Sequence, residues 1–247
     1  KWETGDAGQT EFTNGGLQEN IIGLLTNNTA GSFLEGVAAA RDTLGNIYDL
    51  VIYEGGPSGY TPGATDQVAE NYGKSLAMAT AGLDTWLYTF KLGFIQQNFW
   101  QLKSGAGWSS HTGPEQGRFI PQPVWLALKM YNLYTEGSTM VEATVDSNPS
   151  YARNGAQEIP LISTYAFHDE VTENMTVFIL SRKIPGTHSG ATFGEGYTPV
   201  TIHLPFSETP QWITLHKLAS PDGTPADPGA NNRNEEEASY WFITWEL

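Results

Sequence analysis

The chain contains no cysteine. Disulfides and thiol chemistry are therefore excluded, although the absence does not fix a compartment. Basic residues are scarce, with 12 Lys and Arg against 27 Asp and Glu and a formal net charge of −15. A protein that grips nucleic acid by neutralising phosphates needs the opposite balance, so no nucleic-acid partner is expected. An acidic surface favours solubility and suits neutral or cationic partners. No apolar run approaches the roughly 20 residues that span a bilayer, so no membrane partner is expected either. His168, His188, His203 and His216 have no short ligand spacing, which argues against zinc. Gly55-Gly56-Pro57-Ser58-Gly59 has no lysine and follows a carboxylate, so it is not a phosphate cradle. No cofactor or metal is expected. Asp222, Asp227, Asn231 and Glu235 offer oxygen ligands without the spacing of a calcium loop, and the plainer reading is a solvated loop.

The chain does have enough apolar material for a packed core, at 39% hydrophobic and 12% aromatic. Its 247 residues suggest one large domain or two modest ones. It begins at Lys1 without a methionine or signal segment, which leads us to expect a processed or partial polypeptide. Asn27-Asn28-Thr29 and Asn174-Met175-Thr176 are glycosylation sequons, a tripeptide that also arises by chance.

The most informative stretch runs from Ile47 to Tyr60. Ile47 to Tyr53 is rich in β-branched and aromatic residues, and it stops at Glu54-Gly55-Gly56-Pro57. Such a run bounded by turn residues reads as a buried strand. In α/β folds the carboxyl ends of strands are where chemistry collects, which makes Glu54 the first candidate for catalysis. The bland alternative is a solvated carboxylate at a loop mouth.

Before this strand, residues 1 to 31 are polar and glycine-rich and allow no confident element. Ser32 is placed to cap a helix from Phe33 to about Leu44, with Gly45 just past its end. After it, Asp66 is placed to cap a helix from Gln67 to about Ala81. Gly82-Leu83-Asp84 is expected to break or kink that helix before further turns to Leu92. The alternating run Phe94 to Leu102 reads as a second strand, followed by a loop holding Trp108 and His111. Pro121 and Pro123 open a helix from Val124 to Tyr134, with Trp125, Leu128, Tyr131 and Leu133 as its apolar stripe. Strand, helix, strand, helix is the pattern of a parallel sheet.

Beyond Gly137 the pattern changes to short strands between Pro, Gly, Asn and Asp clusters. Candidates are Met140–Val145, Leu161–Phe167, Met175–Ser181, Pro199–Leu204, Trp212–Leu218 and Tyr240–Trp245. Val200, Ile202 and Leu204 share a face at period two, as do Trp241, Ile243 and Trp245. About six such strands argue for an antiparallel sandwich.

The order Tyr53-Glu54-Gly55-Gly56, helix, aromatic strand ending near Trp100, Pro-x-Trp-x-Ala-Leu helix from Pro123 to Leu128 and strand-rich tail resembles a known group. It is similar to the C-terminal half of retaining glycoside hydrolases built on a (β/α)8 barrel with an appended β-sandwich, the arabinofuranosidase-, xylosidase- and agarase-like enzymes. The resemblance covers roughly residues 32 to 247. It implies an α/β plus all-β chain, with residues 1–136 the last strands and helices of a barrel and residues 137–247 a sandwich. It also implies Glu54 as nucleophile, Tyr53 or Tyr60 orienting it, Trp100, Trp108 and Tyr60 stacking on sugar, and His111 bonding a hydroxyl. For Trp100 the core is the competing role. A polysaccharide or oligosaccharide is the implied substrate and the extracellular space the implied location.

Those enzymes carry their acid/base on an Asn-Glu pair after strand four. Here Glu19-Asn20 is reversed and Asn234-Glu235 lies in an acidic loop. The reading therefore implies a partner chain or missing N-terminal segment that completes the barrel, packed on Val51, Ile52 and Phe94. The alternatives are a non-catalytic extracellular carbohydrate-binding or structural module, and a silent assembly subunit derived from such an enzyme.

Overall fold

The computed structural model describes residues 33–55, 76–99, 111–112, 120–153, 157–181, 186–188, 191–193, 199–203, 212–219 and 239–246, for some of them (Glu54, His111 and all of 239–246 included) the backbone alone.

Helix α1, Phe33–Thr43, starts where Ser32 predicts. Glu35 in its first turn and Arg41 in its last both oppose the helix dipole favourably. The chain leaves it through Gly45, at a φ of +79° that suits glycine. Strand β1, Leu50–Gly55, follows. Helix α2, Leu76–Lys91, leads to strand β2, Phe94–Phe99. The expected break at Gly82 does not occur. Ala81, Leu83 and Asp84 beside it are buried, and that packing outweighs the roughly 1 kcal/mol that glycine costs a helix. The Asp66 cap and the helix start at Gln67 lie outside the described residues.

Strands β3, His111–Thr112, and β4, Ile120–Pro121, form a two-residue ladder. Helix α3, Pro123–Thr135, then begins on proline, which needs no amide partner at a first turn. Its buried face is Val124, Ala127 and Leu128, with Tyr131 half-buried. Trp125 and Leu133, expected in the stripe, are exposed, because their spacing sets them off that face.

The remainder is antiparallel. Strands β5, Thr139–Val141, β8, Ile162–Asp169, and β9, Asn174–Ser181, make a three-stranded sheet in the order β5-β8-β9. Strands β6, Ser150–Arg153, and β7, Gln157–Pro160, pair with each other. So do β10, Gly186–His188, with β11, Ala191–Phe193, and β12, Trp212–Ala219, with β13, Ser239–Glu246. The expected strand at Pro199–Leu204 is absent from residues 199–203, and Val200 and Ile202 are exposed. Alternation there finds no ladder partner. The strand expected at Met140–Val145 ends at Val141. Among the described residues the sheets have two or three strands, and neither a closed barrel nor a sandwich is shown.

One main core joins the two halves of the sequence. Leu83 and Leu87 of α2 and Val124 and Leu128 of α3 pack with Phe167 of β8 and Phe178 of β9. Phe167 is the hub, with edge-to-face contacts to Phe178 at 5.9 Å and Tyr131 at 6.4 Å. This core crosses position 136, where the sequence changes character. Asp84, wholly buried, accepts a 2.6 Å hydrogen bond from the Tyr165 hydroxyl and so ties α2 to β8. No helix among the described residues is long and apolar enough to cross a membrane.

Candidate functional site

β1 and β2 run parallel, as the intervening helix predicts, so their carboxyl ends lie at one edge with Gly55 beside Phe99. The register is broken twice. Leu50 pairs with Phe94 but Val51 with Gln96, so β2 carries one extra residue at Ile95. Ile52 pairs with Gln97 but Gly55 with Phe99, three steps against two, so β1 carries an extra residue in the interval that holds Glu54. Bulges re-aim side chains, sharpen twist and concentrate beside active sites. The second bulge restores the alignment that the first displaced.

The two faces of this pair are unlike. On one, Leu50 and Phe94 are buried with Ala38 of α1, and Ile52 and Leu92 pack around them. Phe99 stacks on Trp86 of α2 at 5.8 Å, and the Gln97 amide donates to the Trp86 carbonyl at 2.8 Å. Both helices thus lie on the same face, and they are fastened to each other. The Tyr88 hydroxyl donates to Glu35, and the Arg41 guanidinium donates to the Gly93 carbonyl at 3.0 Å. Gly93 has a φ of +87°, which favours glycine, and a Cβ there would stand 2.8 Å from that guanidinium and displace it. Phe94, expected on the uncovered side, is held under α1.

The opposite face is open. Val51 is 55% exposed, Ile95 57% and Tyr53 83%. Gln96 and Asn98 are exposed too, joined by an amide–amide hydrogen bond of 3.1 Å, and Asn98 also donates to the Ile52 carbonyl at 3.4 Å. The bulge at Ile95 allows Gln97 and Phe99 to point to the helices while Gln96 and Asn98 do not. This face, ending at Glu54, is the candidate site: apolar and aromatic surface, two oriented amides and a carboxylate-bearing strand end. Gln96 and Asn98 escaped the sequence reading. Their signal is the pair of amides at period two inside an aromatic strand.

Of the residues expected here, Tyr53 lies on the open face and Glu54 at its rim. Tyr60, Trp100 and Trp108 lie outside the described residues. His111 is described only by its backbone, opposite Pro121 in the β3–β4 ladder.

Other polar groupings are structural in character. A shallow hollow of about 380 Å³ between α1 and the end of α2 is lined by Glu35, Arg41, Asp42 and Lys91, whose charges balance. Burial and the hydrogen bond to Glu35 push the Tyr88 hydroxyl well above its ordinary range. His216 is pushed down by burial, its ring against Tyr134 with a 3.2 Å contact between Nδ1 and the hydroxyl. The Asp169 carboxyl is held low by the hydroxyl and backbone amide of Thr172 and the amide of Val171, which close a tight turn. No group of three metal-ligating side chains exists among the described residues. Asp222, Asp227, Asn231 and Glu235, read from the sequence as a solvated loop, lie outside them. Compared with known proteins, the chain matches no family, no curated relative and no solved structure.

Proposed function

We propose that this chain carries the nucleophile of a retaining glycoside hydrolase that acts on a polysaccharide or oligosaccharide outside the cell. The observation that carries the reading is the parallel β1–α2–β2 unit with both helices on one face and Glu54 at the carboxyl edge. That is the arrangement of one segment of a barrel, whose helices ring the outside and whose chemistry sits at the strand ends. Parallel strands are ordinarily covered on both faces, so Val51, Tyr53 and Ile95 would face further strands from a partner chain or another segment.

In this reading the Glu54 carboxylate attacks the anomeric carbon. The glycosidic C–O bond breaks, and a second carboxyl on the completing part gives its proton to the departing oxygen. Water, deprotonated by that same group, then cleaves the glycosyl ester and frees Glu54. Two displacements at one carbon retain configuration, and they require the carboxyls about 5–5.5 Å apart. Gln96 and Asn98, already oriented by their mutual bond, would hydrogen-bond sugar hydroxyls. Gly55 and Gly56 keep side chains away from the ring.

The test is covalent trapping. The full protein, with whatever chain purifies alongside it, is incubated with a panel of fluorinated activated glycosides. Peptide mapping should find a sugar ester on Glu54, and Glu54→Gln should abolish turnover without lowering the unfolding temperature. Normal hydrolysis by that variant overturns the assignment, and a parent that neither hydrolyses nor is labelled by any of the glycosides leaves a non-catalytic module.

A further inference from the structure

We draw no further inference here: the strongest candidate, the open face of the β1–β2 pair on which Val51, Tyr53 and Ile95 stand exposed, belongs to the site already described, and nothing in the structure shows what covers it.

Discussion

The parallel β1–β2 pair and the antiparallel β5–β8–β9 sheet both pack against α2, yet their far faces carry different kinds of residue. The far face of β8 and β9 is mixed, with Thr164, His168 and Met175 partly covered and Ile179 more open. An antiparallel sheet with one wet face is ordinary. The far face of β1–β2 bears Val51, Tyr53 and Ile95 beside two amides, and a parallel pair so exposed is not ordinary. At β8–β9 the central far-face pair, Ala166 and Val177, is buried or partly covered, whereas at β1–β2 Val51, Tyr53 and Ile95 all stand open.

The comparison can be pressed first at the shared core. Phe167→Ala should destabilise the chain by about 3–5 kcal/mol in urea unfolding, since its ring is wholly buried against aromatic neighbours. A loss under about 1 kcal/mol would mean that the two halves do not share this core. Tyr165→Phe removes one hydrogen bond from the buried Asp84 carboxyl, and should cost about 1–3 kcal/mol by the same measurement.

Tyr88→Phe tests the seam that holds both helices on one face, and should cost about 1 kcal/mol near neutrality. It has a pH signature as well. The hydroxyl titrates above its ordinary value of 10.0 when folded. The contact's stabilisation is therefore intact below that pH and is lost as pH rises towards the raised folded value. Alkaline unfolding curves of parent and variant should converge, and parallel curves would refute the contact. The smallest effect is the sharpest comparison. Val51→Ser should change the stability of the chain alone by no more than about 0.5 kcal/mol, because its side chain is open. A cost of several times that would show the face already covered in solution.

Much of the element order was legible in the sequence. α1 and its glycine exit, the parallel relation of β1 and β2, the proline start of α3 and the strands β8, β9, β12 and β13 all follow local rules. The failures share a cause. Gly82 looks like a helix breaker, but its neighbours Leu83 and Asp84 are buried against other elements. Val200 and Ile202 alternate like a strand, but pairing is a property of two segments. Phe94 looked like an exposed member of its strand and is covered by α1. At the site, Tyr53 and Glu54 were legible from a run that ends on a carboxylate, whereas Gln96 and Asn98 were not.

Residue periodicity, caps and turn glycines act within a few positions, so the sequence by itself determined where most elements lie and that Glu54 ends a strand of a parallel unit. Which face of that unit is covered was decided only in three dimensions. Two offset bulges reset the alternation of β1 and β2, and α1 and α2, locked together by Tyr88–Glu35 and Arg41–Gly93, occupy the same side. A one-residue shift in a strand turns every later side chain to the other face, and no window of local sequence reports it.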